Sequence, residues 1–201
     1  MSAGRDIGFH VGMSDLLIAA PLRLEAYMIS RGAPPGRVHR TGVGPRRARA
    51  AVPVLIDDPG RALLVLGFGG GLAPGSEVGE VVVADEVRGP EGTRVRCTDA
   101  NALAAVLGSS GLSVCRGMVS SVARPAMGQR RVKLHEEGAV AVDMESVWLA
   151  AAASGRPFAV VRVLSDTPKR EITRPLLTVA GVARASATLQ RVAAALHGWV
   201  P

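Results

Sequence analysis

Short apolar runs bounded by turn residues alternate along this chain with segments whose apolar residues recur at helical spacing. Such alternation is typical of a chain that buries strands in a sheet and covers the sheet with helices. It predicts strands at residues 16–20, 38–40, 62–66, 81–84, 114–119, 139–142 and 158–164, and helices at residues 22–30, 46–56, 101–107, 127–137, 145–153 and 179–197. We therefore expect an α/β fold, a three-layer α/β/α sandwich with a central mixed sheet.

The composition favours one domain. Of the 201 residues 48% are apolar, and no Pro-, Gly- or Ser-rich linker divides them into two halves. We expect an N-terminal extension at residues 1–14, followed by a single domain at residues 15–201. No stretch approaches 18 uninterrupted apolar residues, and the N-terminus lacks an apolar leader, so neither a membrane span nor a signal peptide is expected.

The net charge of +7 raises the question of nucleic-acid binding. Arginine supplies nearly all of the basic residues, a bias typical of a high-GC genome, and aromatic residues make up only 3% of the chain. Because no aromatics lie among the basic residues to stack on bases, we expect no nucleic-acid partner. The denser basic groups are interpreted as solvated faces with a possible attraction to anionic membranes: Arg46, Arg47 and Arg49; Arg130, Arg131 and Lys133; Lys169, Arg170 and Arg174.

The cysteines and histidines give no sign of metal or redox chemistry. Cys97 and Cys115 form no Cys-x-x-Cys pair, and the four histidines are scattered without ligand spacing. We expect neither a metal nor a cofactor, and a cytoplasmic location.

In sheets of this class, binding sites gather at the carboxyl ends of the strands. One predicted strand leads into the glycine-rich segment Gly67–Gly71, where backbone N–H groups are open to an anion or a sugar. The segment matches neither a dinucleotide-binding fingerprint nor a P-loop. A plain tight turn accounts for it equally well.

Carboxylates follow two other predicted strands. Asp143 suits the cap of the next helix, whereas Glu145 is better placed to accept hydrogen bonds from the two hydroxyls of a ribose. Asp166 ends the most apolar strand of the chain, where partly dry surroundings help a carboxyl to hold a proton for a leaving group. A turn-initiating role before Thr167 and Pro168 explains Asp166 equally well.

Four segments, in chain order, resemble the motifs of the nucleoside phosphorylase and nucleosidase superfamily. They read LGFGGGLAP at 66–74, VGEVVVADE at 78–86, AVDMES at 141–146 and VRVLSD at 161–166. The nearest branches are the methylthioadenosine/S-adenosylhomocysteine nucleosidases and the adenosylhopane nucleosidases of hopanoid synthesis. The short stretch between Glu25 and Arg40 is more similar to the second branch.

The resemblance implies roles for individual residues. Asp166 would protonate N7 of a purine, and Ser165 would hold Asp166 in place. Glu145 would bind the ribose hydroxyls, Met144 would pack against the sugar, and Glu25 would activate water. Apart from the resemblance, Phe68 and Gly69 of the glycine-rich segment are candidate substrate contacts, because an aromatic ring there can cover the ribose; simple packing explains Phe68 equally well.

Water or phosphate can be the nucleophile, and the side chains that would bind phosphate distinguish the two. Related phosphorylases carry an arginine and a serine at the positions aligned with Val65 and Phe68. Arg23 resembles a phosphate-binding arginine, but an exposed position in the first helical turn is the simpler interpretation. We therefore favour water.

The expected function is that of a purine nucleoside N-glycosidase that releases adenine from a 5′-substituted adenosine, with adenosylhopane as the favoured substrate. The alternatives are a methylthioadenosine/S-adenosylhomocysteine nucleosidase, a futalosine hydrolase, a purine nucleoside phosphorylase or a nucleoside-binding protein without turnover. The resemblance also implies a homodimer.

Overall fold

A computed structural model of the protein describes residues 15–32, 37–169 and 175–196. The predicted extension at residues 1–14 and the predicted helix end at His197 lie outside the described residues, as do Arg170 and Arg174.

The described residues contain eight strands and six α-helices. The strands are β1 (Leu16–Ala20), β2 (Arg37–Arg40), β3 (Ala62–Gly71), β4 (Val81–Arg88), β5 (Arg94–Arg96), β6 (Val114–Ser121), β7 (Ala139–Asp143) and β8 (Phe158–Asp166). The helices are α1 (Arg23–Gly32), α2 (Pro45–Asp57), α3 (Ala100–Ser109), α4 (Gln129–Glu136), α5 (Ser146–Leu149) and α6 (Pro175–Ala195). None of the described helices is long and apolar enough to cross a membrane.

All eight strands belong to one mixed sheet. Five of them, β3, β7, β6, β4 and β8, each pair with two others of the group and so close into a ring. At the carboxyl end of β3, Gly70 lies opposite Val142 of β7 and opposite Asp166 of β8. The ends of three strands therefore converge at one place, although they are far apart in sequence.

Helices cover both faces of the sheet, because successive strand residues point to opposite sides. Leu64 and Val161 are buried in an apolar cluster with residues of α1, α3 and α6. Their neighbours Leu63 and Val160 are buried in a second cluster with residues of α2 and α5. The expectation of a three-layer α/β/α sandwich with a mixed sheet is confirmed.

The glycine-rich segment differs from its prediction. Gly67–Gly71 does not form a loop after a strand; it is the second half of β3, which pairs with β8 as far as Asp166. Glycine has a low strand propensity, so the sequence alone predicts a break there. Pairing with the very apolar β8 overrides that local preference.

Two further elements depart from expectation. Strand β5 was not predicted, because Arg-Val-Arg is too short and polar to stand out, yet it pairs with β4 as an edge strand. The helix predicted at residues 145–153 is α-helical only over α5 and continues as a 3₁₀ turn at Ala150–Ala153.

Candidate active site

A cavity of about 180 Å³ lies where the ends of β3, β7 and β8 converge. Its wall is completed by the start of α1, by Val43, by the segment at residues 122–127 and by Arg131 of α4. The structure brings together in this cavity all seven site residues named from the sequence: Glu25, Phe68, Gly69, Met144, Glu145, Ser165 and Asp166.

The glycines of β3 allow this convergence by their lack of a side chain. A Cβ atom at Gly67 would lie 2.6 Å from Oε1 of Glu25, and one at Gly70 would lie 2.9 Å from Nη2 of Arg131. Real Cβ atoms do not approach other atoms this closely, so any side chain at either position would displace a charged group of the site.

Glu25 lies in the first turn of α1 and is only 2% exposed. Its two carboxylate oxygens accept backbone N–H groups, Oε1 from Phe68 at 2.6 Å and Oε2 from Leu22. Burial raises the pKa of Glu25 above its ordinary value, against the lowering effect of these bonds and of Arg162. The residue therefore holds a proton more readily than an exposed glutamate does.

Glu145 lies two residues after the end of β7, next to Met144, and it is also buried. Its Oε1 accepts the backbone N–H of Gly44 at 2.8 Å. Burial raises the pKa of Glu145 to about 7, although Arg162 and the bond from Gly44 oppose the shift. A hydroxyl-bearing ligand that donates to this carboxyl would favour its ionised form.

Asp143 takes the capping role predicted for it. Its Oδ1 accepts the backbone N–H groups of Glu145 and Ser146 and the hydroxyl of Ser121, the last at 2.6 Å. Its Oδ2 accepts Nε of Arg162 at 2.8 Å. The residue therefore orders the turn that carries Glu145.

Arg162 is a site residue to which the sequence assigned no role. It is fully buried in β8, and its Nη2 donates to Ser146 at 2.8 Å. Burial alone would lower its pKa, but Asp143, Glu145 and Glu25 more than reverse the effect, so the pKa of Arg162 is raised and the group is charged. The available signal was a lone arginine within the most apolar strand of the chain.

One donor of Arg162 has no hydrogen-bond partner among the described residues. This atom, Nη1, lies 3.0 Å from the position that a Cβ at Gly67 would occupy, and Oε1 of Glu25 lies 2.6 Å from the same point. A buried N–H without a partner is costly; Arg162 does not line the cavity, and its contacts with Asp143 and Ser146 offset that cost.

Asp166 is 8% exposed at the end of β8. Its Oδ1 accepts the hydroxyl of Ser165 at 3.3 Å, which is the contact expected of Ser165. Its Oδ2 forms a salt bridge with Nη2 of Arg131.

The interpretation of Arg131 as part of a solvated face is wrong. The residue is 4% exposed, whereas its neighbour Arg130 is exposed. Besides the salt bridge, Nε donates to Ala126 O at 2.9 Å and Nη1 donates to Gly71 O at 3.0 Å. The sequence shows only three basic residues within four positions; the helix turns this one alone toward the cavity.

None of Arg23, Val65 and Phe68 places a positive charge in the cavity. Val65 is fully buried in the apolar cluster shared with α2 and α5, and Phe68 lines the cavity. Arg23 is exposed at the start of α1 and does not line it. Within the part of the chain that the structure describes, no group of three or more His, Cys, Asp and Glu side chains is arranged to hold a metal ion.

Solved structures with the same fold include nucleoside-cleaving enzymes. The futalosine hydrolase of Helicobacter pylori strain 26695 superposes with a TM-score of 0.73 at 18% identity, covering 90% of this chain and 97% of that one. The 5′-methylthioadenosine/S-adenosylhomocysteine nucleosidase of Neisseria meningitidis, in complex with methylthio-immucillin-A, gives a TM-score of 0.76 at 17% identity, with coverage of 92% and 100%. The corresponding nucleosidase of Colwellia psychrerythraea 34H, in complex with adenine, gives 0.76 at 18%, with coverage of 93% and 95%.

Identities this low establish a shared fold and leave the activity open. No curated protein sequence matches the chain. The sequence model of the phosphorylase superfamily, in contrast, matches residues 25–197, a span that starts at Glu25 and contains every other residue of the cavity's acidic and basic set. With most of its length matched and the superfamily's sheet and strand-end cavity in place, this chain belongs to the phosphorylase superfamily.

Proposed function

We propose that the protein is a purine nucleoside N-ribohydrolase that releases adenine from a 5′-substituted adenosine. The observation that carries the proposal is the meeting of Glu25, Glu145 and Asp166, from three separate segments, in one cavity. The nucleosidases among the solved structures with this fold support the same reaction class.

In the proposed reaction the bond between C1′ and N9 breaks while the sugar takes on oxocarbenium character. Asp166 gives a proton to N7, so that the base leaves as a neutral molecule. A positioned general acid typically contributes 10²–10⁴-fold, or about 3–5 kcal/mol of barrier. Ser165 fixes the orientation of the carboxyl through its hydroxyl.

Water attacks C1′ and gives its proton to Glu25. The raised pKa of Glu25 makes its carboxylate a stronger base than that of an exposed glutamate. Glu145 accepts the ribose hydroxyls, and Met144 and Phe68 supply apolar surface for the sugar.

Adenine release is expected to be independent of phosphate. Among the described residues that line the cavity, Arg131 is the only cation, and it is already paired with Asp166. A phosphate dianion would instead meet the carboxylates of Glu25 and Glu145. The measurement is the rate of adenine release in 0 to 50 mM phosphate, with sulfate at matched ionic strength as the control.

The product separates the two reactions independently of the rate. Hydrolysis yields a free 5′-substituted ribose, whereas phosphorolysis yields its 1-phosphate. A rate that rises linearly with phosphate but not with sulfate, together with the 1-phosphate product, would assign the protein to the phosphorylases.

For the 5′ substituent we propose an apolar, lipid-like group, with adenosylhopane as the favoured identity. The cavity wall contains a run of apolar side chains, of which Leu22, Val43 and Met127 are 40%, 37% and 43% exposed. Val122 and Pro125 continue this surface. Each methylene buried against it contributes about 0.8 kcal/mol, so a few of them outweigh one or two polar contacts.

Adenosine with a long apolar 5′ substituent is therefore expected to give a higher kcat/KM than methylthioadenosine, S-adenosylhomocysteine or futalosine. Met127→Ser should reduce this preference by several-fold. Val132→Ser is the matched control, because Val132 is exposed to a similar degree on α4 and does not line the cavity. A preference for one of the other three substrates would assign the protein to that substrate's branch.

The remaining proposals concern location and assembly. The exposed Arg46, Arg47 and Arg49 support a peripheral contact with an anionic membrane, where a lipid substrate would reside. The exposed apolar side chains of Leu24 and Tyr27 on α1 support a homodimer. A cytoplasmic location remains a prediction from the sequence.

A further inference from the structure

Arg131 joins three parts of the site. Its guanidinium donates to the loop before α4 through Ala126 O, to the end of β3 through Gly71 O, and to Asp166 of β8. Both partners of the salt bridge are nearly buried, with 5% and 11% of their side chains exposed. The contact with Asp166 is therefore fixed from two other directions and shielded from solvent.

Among the described residues, the other charged groups that line the cavity are carboxylates, and their effect on the protonation of Asp166 is opposite to that of Arg131. Glu25 of α1 and the carboxyl groups of Asp143 and Glu145 line the same cavity, and Arg162 of β8 is engaged with Asp143 and Ser146. Carboxylates nearby favour a proton on Asp166, whereas a guanidinium in contact favours the carboxylate form. Among the described residues, Arg131 is the cation that touches Asp166 directly, so its influence dominates at short range.

This contact conflicts with a simple general acid, because a carboxylate has no proton to give. Resting on the proposed function, we infer that Arg131 is a positioning residue that holds Asp166 as a carboxylate until a nucleoside binds. When the nucleoside binds, Asp166 takes up a proton from solvent. This proton then lies in the hydrogen bond from the carboxyl group of Asp166 to N7 of the base.

The protons balance over a turnover. Asp166 takes up one proton from solvent and transfers it to N7 as the C1′–N9 bond breaks, which returns the carboxylate to Arg131. The attacking water gives its oxygen to C1′ and one proton to Glu25, which releases that proton to solvent. No other reactant is required.

The first test is the pH dependence of kcat/KM in Arg131→Met. Removal of a contacting positive charge shifts the titration of a carboxyl upward by about 1–3 pH units. The optimum of a bell-shaped profile lies midway between its two titrations, so it should move up by about 0.5–1.5 pH units. Arg130→Met, which removes the same charge from an exposed neighbour, should leave the optimum in place. Arg131→Lys retains the charge and should also leave it in place.

A role in holding the fold alone gives a different result. Arg131→Met would then lower the melting temperature and reduce kcat/KM equally at every pH, with the optimum unmoved. That outcome overturns the inference while leaving the nucleosidase proposal intact.

The second test requires no turnover. The probe is carbocyclic adenosine with a long apolar 5′ substituent, which lacks the ring oxygen needed for the oxocarbenium ion; its 7-deaza analogue also lacks N7. Calorimetry at pH 7.5 in two buffers of different ionisation enthalpy counts the protons taken up when each ligand binds. The wild type should take up close to one proton more with carbocyclic adenosine than with the 7-deaza analogue. In Arg131→Met the free Asp166 holds its proton to a higher pH, so the low-pH limit of this uptake, followed from about pH 5 to 8, should move up.

The two tests separate the two proposals. Turnover without the extra proton overturns the role of Arg131 alone. The extra proton without turnover supports that role and contradicts hydrolysis. Absence of binding by the 5′-substituted carbocyclic adenosine overturns both.

Discussion

Asp166→Asn is expected to lower kcat by 10²–10⁴-fold while KM changes only a few-fold. The amide still forms a hydrogen bond with N7 through its NH₂ group, so the bound nucleoside loses little. It has no proton to transfer, so the departing base keeps its negative charge in the transition state. The loss corresponds to about 3–5 kcal/mol and falls on the chemical step.

Stability must be measured beside activity, because Asn also removes the charge partner of Arg131. Loss of one member of a buried pair commonly destabilises a protein by about 3–5 kcal/mol. Arg131 keeps its bonds to Ala126 O and Gly71 O, so we expect a folded variant with a lower melting temperature. Asp57→Asn, at an exposed position, is the control. If folded Asp166→Asn kept more than about a tenth of the wild-type kcat, another group would be the acid.

The fold was largely predictable because its strands are apolar and its helices amphipathic. Every predicted strand overlaps an observed one, and β1 has the predicted bounds at residues 16–20. The carboxylates at or just after the ends of β7 and β8 were also identifiable, since charges next to very apolar runs are costly unless they are used. Their meeting in one cavity, together with Glu25, follows from strand order, which a single sequence does not specify.

The two arginines of the site show what sequence patterns leave out. Arg131 belongs to a basic cluster in which nothing distinguishes it from Arg130, yet one is buried and the other exposed. Arg162 lies in an apolar strand, and it forms its ion pair with Asp143, which is 19 residues away in sequence. Side-chain partners across such separations require the packed structure.

The glycines of β3 were noticed for the wrong physical reason. We expected them to open the backbone of a loop to a ligand, whereas Gly67 and Gly70 make room for Glu25 and Arg131 beside a regular strand. Both reasons rest on the missing Cβ, and only the position of the neighbouring side chains distinguishes them.

Glu25→Gln is expected to reduce kcat by 10²–10⁴-fold, because an amide cannot accept the proton of the attacking water. Burial raises the pKa of Glu25, so in the wild type the active carboxylate forms at a higher pH than for an ordinary glutamate. Activity that depends on this carboxylate therefore rises with pH through that raised value. The rise should disappear in Glu25→Gln.

This substitution also tests whether the geometry around Glu25 serves catalysis or folding. Both carboxylate oxygens accept backbone N–H groups, from Phe68 and Leu22, and an amide has only one oxygen to offer. One donor is left facing the NH₂ group, at a cost of about 1–3 kcal/mol in the free energy of unfolding. Glu91→Gln, at an exposed position, is the control for both activity and stability. If folded Glu25→Gln still bound carbocyclic adenosine and turned over substrate at close to the wild-type rate, Glu25 would have a structural role only, and the base would have to be Glu145, whose raised pKa of about 7 also suits that function.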